Sequence, residues 1–150
     1  MKSHIPLVLL LIFALILSAC ANTSTSTPPA TSPEPLTVED KASLIAALQA
    51  SGAAVETGES ITQEFFSPEG SIIKVNGADV QVFEYENAEA MENEASQVAP
   101  DGGSVGTSMM MWMDTPHFYK AGRIIVLYIG SDATVLGPLD SVIGSQFAGG

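Results

Sequence analysis

The chain has 150 residues, 46% of them hydrophobic, and its 17 acidic and 5 basic side chains give a net charge of −12. This length suits one domain, and so much apolar content argues against a disordered chain. The negative charge repels phosphate backbones and argues against nucleic-acid binding. The single cysteine, Cys20, excludes an intrachain disulfide, so the domain must depend on its hydrophobic core.

The N-terminus has the pattern of an export signal. Lys2 precedes an uncharged apolar run over residues 5–17. As a helix this run would rise about 20 Å, which is shorter than the roughly 30 Å hydrocarbon core of a bilayer. The length is instead typical of the apolar segment of a signal peptide. The run ends in the sequence Leu17-Ser18-Ala19-Cys20.

This motif resembles the lipobox of bacterial lipoproteins, in which small residues precede an obligatory cysteine. The resemblance implies that residues 1–19 are removed, that the sulfur of Cys20 receives a diacylglyceryl group, and that the new amino group is often acylated. It places the protein on the extracytoplasmic side of the cell envelope, and Ala21 favours the outer membrane if the organism has one. The alternatives are an uncleaved anchor and an ordinary secretory signal cut near Ala21.

Residues 20–35 follow as a tether rich in Ser, Thr and Pro, with no large apolar residue for a core. The prolines favour an extended chain that reaches on the order of 45 Å. Removal of residues 1–19 takes Lys2 away, so 4 basic and 17 acidic side chains remain and the mature charge is 4 − 17 = −13. A single globular domain is predicted over residues 36–150.

The first half of this domain is predicted to contain a helix, two short strands and a hairpin. Thr37 is a typical N-cap for a helix over residues 38–51, and Gly52 is a natural C-terminal stop. A turn at residues 58–60 separates the two strands. Asn76-Gly77 predicts a tight hairpin, because both residues accept the positive φ angles of a type I′ turn.

The second half is predicted to contain a helix, a strand, a second hairpin and a last helix. Asn87 is a good N-cap, and Ala121-Gly122 forms the second turn. Ser131 or Asp132 caps the last helix, which Gly137-Pro138 should divide into a short piece and a longer one that begins at Pro138. The predicted strands cover residues 53–57, 61–66, 71–75, 78–85, 105–114, 117–120 and 123–129.

Strands joined by tight turns pair antiparallel. The pattern therefore predicts an α+β two-layer sandwich, with an antiparallel sheet of about five to six strands and two to three helices on one face.

One stretch of the chain reads MMMWMDTPH. On a strand, Met109, Met111 and Met113 share one face, and the most direct interpretation is that they fill the core. The alternative is a soft-metal site, most simply for copper, that combines them with Trp112 and His117. Thioethers and imidazole suit Cu(I), and an indole can add a cation–π contact. The set of residue types is similar to that of some periplasmic copper chaperones.

No catalytic motif is present in the sequence. His117 is the only histidine left after signal removal, and Asp114 could orient it, but no Gly-x-Ser-x-Gly sequence supplies a nucleophile. A single histidine without a free thiol also argues against zinc, and no cofactor is expected. Four aromatic residues can either line a groove for a partner or belong to the core: Tyr85, Phe118, Tyr119 and Tyr128.

These patterns together predict a membrane-anchored envelope lipoprotein. Its domain is expected to be non-enzymatic and to bind an envelope protein or a small ligand. The copper-binding module is the alternative function, and a small hydrolase is the weaker alternative.

Overall fold

The computed structural model describes residues 36–150. The predicted signal, Cys20 and the tether lie outside the described residues. In chain order the elements are α1 (Lys41–Ala50), β1 (Val55–Ile61), β2 (Gly70–Val75), β3 (Ala78–Glu84), α2 (Ala88–Ala95), β4 (Ser104–Val105), β5 (Ser108–Met109), β6 (Pro116–Ala121), β7 (Ile124–Ile129), α3 (Ala133–Ile143) and β8 (Ala148–Gly149).

Six of the strands form one antiparallel sheet in the order β1-β2-β3-β7-β6-β8, and β4 pairs with β5 in a small separate ribbon. The prediction of an α+β fold with an antiparallel sheet of five to six strands is confirmed. Helices α1 and α3 lie on the same face of the sheet, and two helices on one face agree with the predicted two to three. Helix α2 covers the opposite face, so both faces are buried.

Strand β3 illustrates how the two faces are separated. Val80 and Val82 point toward α1 and α3, while Phe83 points toward α2. This is the period-two alternation that the sequence of the strand predicts. Leu44 and Leu139 belong to the first core and are fully buried. The fully buried members of the second core are Phe83, Phe118, Ile125 and Leu127.

The predicted Asn76-Gly77 hairpin is confirmed. Asn76 has φ 51° and Gly77 has φ 90°, as a turn with two left-handed residues requires. The side chain of Asn76 also joins distant parts of the domain. Its oxygen accepts from the backbone N–H of Ala54 at 2.9 Å, and its Nδ2 donates to the carbonyl of Thr134 at 2.7 Å.

Helix α3 runs without interruption through Pro138, so the predicted division at Gly137-Pro138 is wrong. Proline has no N–H, and Thr134, four residues earlier, therefore lacks its helical donor. The amide of Asn76 fills this vacancy at 2.7 Å. Asp132 caps the helix as predicted, by accepting from the N–H of Thr134 at 2.8 Å.

Helix α1 begins later than predicted. Its N-cap is Asp40 rather than Thr37. The carboxylate of Asp40 accepts from the N–H of Ser43 at 2.9 Å, and the Ser43 hydroxyl accepts from the N–H of Asp40 at 2.9 Å. This reciprocal pair satisfies two unpaired donors, which a cap at Thr37 alone would not do.

Strand β1 forms one edge of the sheet. The turn predicted at residues 58–60 is wrong, because the chain stays in the strand and changes register between Thr57 and Ser60. The interior residues of the strand are exposed, including Glu56 and Glu59. The irregularity is a bulge-like feature that keeps the strand paired to β2 on both sides of it.

The predicted strand over residues 105–114 is wrong. Within it only Val105, at the end of β4, and Ser108–Met109 are paired as strand. We call residues 108–115 the methionine loop. Met109, Met111 and Met113 are 88%, 98% and 101% exposed, so their interpretation as core residues is wrong. Trp112 instead fills the apolar space beside the sheet, with its ring 6.0 Å from that of Phe118.

Candidate functional site

A cleft of about 590 Å³ lies beside strand β6, helix α3 and the chain that follows α3. His117 and Tyr119 are two residues apart on β6 and therefore point to the same face of the sheet. Leu136 and Asp140 are four residues apart and lie on one side of α3. The segment after α3 completes the lining with Gly144, Ser145 and Gln146.

His117 is a buried polar residue of this cleft and is 8% exposed. Its Nδ1 lies 2.5 Å from Oε1 of Gln146, while Nε2 of Gln146 donates to the carbonyl of Gly149 at 3.2 Å. Since the amide nitrogen is turned to Gly149, the amide oxygen faces the imidazole, and Nδ1 carries the donated proton. Nε2 is then the acceptor of the ring, and within residues 36–150 it has no hydrogen-bond partner.

The imidazole is also fixed from the neighbouring strand. Tyr128 on β7 lies directly opposite His117, and the two rings are stacked with centroids 6.1 Å apart and planes inclined by 22°. The amide of Gln146 and the ring of Tyr128 thus determine both the rotation and the plane of the imidazole. A nitrogen lone pair held in this way can accept a hydrogen bond.

Tyr119 and Asp140 form the second polar pair of the cleft. The Tyr119 hydroxyl donates to Oδ1 of Asp140 at 2.9 Å. Burial of the ring, and then the neighbouring Asp140, raise the pKa of Tyr119 well above its usual value. The phenol therefore remains protonated at neutral pH and acts as a donor. Asp140 itself is exposed, so its carboxylate is accessible from solvent.

Trp112 and His117, which the alternative copper site would combine, are not brought together. His117 and Phe118 are adjacent on β6 and so point to opposite faces of the sheet. Trp112 packs on the face of Phe118, and its Nε1–H donates to the carbonyl of Gly102 at 2.7 Å. His117 faces the cleft on the other side.

Asp114, which from its position in the sequence could orient His117, does not line the cleft. It is exposed and accepts from the N–H of Thr115 at 2.7 Å. The carboxylate of the cleft comes from Asp140, which the sequence interpretation missed. A signal was available, since Asp140 is the one charged residue in the otherwise apolar and neutral sequence of α3. Gln146 carried no such signal.

Four aromatic residues were compatible with either a groove or the core: Tyr85, Phe118, Tyr119 and Tyr128. All four are buried, so they belong to the core. Tyr119 also reaches the cleft with its hydroxyl. Tyr85 is placed in the second core, where its hydroxyl donates to Glu94 at 2.8 Å.

Neither a metal-binding cluster nor a membrane-spanning helix is present among the described residues. In the part of the chain from 36 to 150, no three His, Cys, Asp or Glu side chains cluster as a metal site would require. None of the helices described there has both the length and the apolar character to cross a bilayer. Comparisons with protein-family models, with curated proteins and with solved structures found no match.

Proposed function

We propose that this chain is a lipid-anchored protein of the bacterial cell envelope whose domain binds a small ligand in the His117 cleft and catalyses no reaction. The observation that carries the proposal is the cleft itself, which brings His117, whose buried Nε2 has no partner among the described residues, together with the Tyr119–Asp140 pair. Buried polar atoms are nearly always hydrogen-bonded, so a buried acceptor without a protein partner, on a residue that lines the cleft, favours a donor that reaches it from the cleft.

The charge of the cleft favours a neutral or cationic ligand. Asp140 supplies a carboxylate, and no Lys or Arg is among the residues that line the cleft. The mature chain carries 4 basic and 17 acidic side chains, a net charge of −13, and so repels anions at long range. Small amines, amino acids and sugars fit this environment, since each offers hydroxyl or amino donors.

The arrangement supports binding more than hydrolysis, the weaker alternative. Ser145 lies in the same cleft as His117 and a carboxylate, which is the set a hydrolase would need. Yet Nδ1 of His117 is paired with the neutral amide of Gln146, and Asp140 is paired with Tyr119. Among the described residues, no hydrogen bond joins Ser145 to His117. A hydrolase needs its nucleophile, base and acid joined by hydrogen bonds, and Ser145, His117 and Asp140 are not joined in this way.

The proposed anchor predicts a covalent change at Cys20. The full chain, purified from the membranes of a bacterial host, is expected to lack residues 1–19 and to carry acyl chains, because the lipobox directs both steps. Intact-mass spectrometry measures this directly. A Cys20→Ala chain should carry no acyl group. An unmodified mass that retains residues 1–19 would contradict the anchor and leave the cleft proposal standing.

The cleft predicts ligand binding that depends on Asp140. We expect at least one compound in a panel of small amines, amino acids and monosaccharides to raise the Tm of the detergent-purified full chain. At a ligand concentration of 100 times Kd, binding raises the free energy of unfolding by about 2.7 kcal/mol. For a cationic ligand, Asp140→Asn should abolish most of the ligand-induced rise in Tm, while the asparagine still accepts the hydrogen bond from Tyr119.

Asp114→Asn is the matched control for this measurement. It removes the same charge from an exposed position that does not line the cleft. Its Tm is expected to respond to the ligand as the natural chain does. If the two variants respond equally, the ligand binds elsewhere, and if no compound in the panel changes Tm, these ligand classes are eliminated.

A soft-metal module is the second candidate. It is favoured by the exposure of Met109, Met111 and Met113, whose thioethers are accessible to an ion from solvent. Trp112 and His117 lie on opposite faces, so the thioethers would have to bind the ion alone. Titration of the full chain with Cu(I) against a chelator should then show competition at about micromolar affinity. A chain with all three methionines changed to leucine should not compete. Absence of competition by the natural chain would eliminate the candidate.

A further inference from the structure

The methionine loop exposes three thioethers on one short segment. Met109, Met111 and Met113 are 88%, 98% and 101% exposed, which is unusual because methionine is among the residues most often buried. Met91 is their natural contrast within the same domain. It lies on α2 in the second core and is 5% exposed.

We propose that Met109, Met111 and Met113 form a site of oxidative modification, at which a peroxide converts the thioethers to sulfoxides without unfolding the domain. With hydrogen peroxide, the sulfur lone pair attacks one peroxide oxygen, so an S–O bond forms and the O–O bond breaks. The sulfur loses two electrons, and the departing hydroxide takes the proton of the transferred oxygen and leaves as water.

The loop is held by contacts that do not involve these thioethers. Trp112 donates its indole N–H to the carbonyl of Gly102 at 2.7 Å and packs against the rings of Phe65 and Phe118, each 6.0 Å away. The backbone N–H of Met110 donates to the carbonyl of Gly103 at 2.9 Å. An oxygen added to an exposed sulfur therefore disrupts no core contact, and the loop should keep its position.

Oxidation nevertheless changes the character of this surface. A sulfoxide is polar and accepts hydrogen bonds, whereas the thioether is apolar. Three such changes within one loop convert three exposed apolar side chains into polar ones while the fold stays the same. The buried thioether of Met91 can react only when the core opens, so it is protected for as long as the domain is folded.

Peptide mapping after peroxide treatment tests the proposal on the full chain in detergent. Cleavage at the glutamates separates Met91, which lies between Glu89 and Glu92, from the methionine loop. We expect Met109, Met111 and Met113 to oxidise at least about tenfold faster than Met91 in the folded protein. In guanidinium the four rates should become similar. The Tm of the oxidised chain should match that of the untreated chain.

A chain with Met109→Leu, Met111→Leu and Met113→Leu provides the control. It keeps the apolar surface, should lose the rapid oxygen uptake, and should retain its Tm because leucine replaces exposed side chains. Met91→Leu should leave the rapid uptake unchanged. Equal oxidation of Met91 and the loop in the folded protein would overturn the proposal. So would a fall in Tm on oxidation that the triple variant does not show.

Discussion

Replacement of Gly122 with alanine is expected to destabilise the domain by roughly 3 kcal/mol, which corresponds to a fall in Tm of roughly 10 °C. Gly122 has φ 50°, and a Cβ there would lie 2.4 Å from both the Cα and the carbonyl oxygen of Glu39. The atoms in the way are backbone, so no side-chain rotation can relieve the clash. The N–H of Arg123 donates to the same Glu39 carbonyl at 2.9 Å and holds the two segments together.

Gly77→Ala is the matched control for this prediction. Gly77 also lies in a hairpin turn and has φ 90°, but a Cβ there would meet no atom within 4 Å. Its replacement should cost only the backbone penalty, about 1–2 kcal/mol. Denaturant unfolding of both variants, compared at equal m-values, measures the difference between their losses in the free energy of unfolding. Equal losses in the two variants would mean that the close approach of Gly122 to Glu39 does not exist in solution.

Gly70→Ala is expected to cost about 1–3 kcal/mol for a purely steric reason. Gly70 faces Phe83 across strands β2 and β3, and a Cβ there would lie 2.6 Å from Cε1 and 2.8 Å from Cδ1 of that ring. The backbone of Gly70 is not left-handed, so alanine adds no dihedral penalty. Phe83 is fully buried and also packs against Phe66 at 4.8 Å, so its ring has little room to move.

A double-mutant cycle tests this contact. Phe83→Leu destabilises the domain on its own but removes the aromatic atoms that the new Cβ would meet. The double variant should therefore be more stable than the two single losses predict, by about 1 kcal/mol or more. Gly77→Ala combined with Phe83→Leu is the control pair and should be additive. Additivity in the Gly70 cycle would contradict the steric explanation.

Features set by neighbouring residues could be predicted from the sequence. The Asn76-Gly77 turn, the caps at Asn87 and Asp132, and the alternation along β3 all depend on local chemistry, and the structure confirms them. The antiparallel sheet follows from the same tight turns. These features required no knowledge of what lies across the fold.

Features set by distant residues could not be predicted. The continuity of α3 through Pro138 depends on Asn76, which is 58 residues from Thr134 in the chain. The cleft shows the same limit. His117 was recognised as a candidate, but its partner Gln146 lies 29 residues away and Asp140 approaches only because α3 packs against β6.

The exposed edge at β1 has a consequence for how copies of this protein meet. An open strand edge offers unpaired backbone groups that can join the sheet of a second molecule. Here Glu56 and Glu59 place negative charge on that edge, and the change of register between Thr57 and Ser60 breaks its regular spacing. The opposite edge, Ala148–Gly149, is too short to act as a template. Neighbouring copies at high concentration would thus be kept from pairing their sheets into larger aggregates.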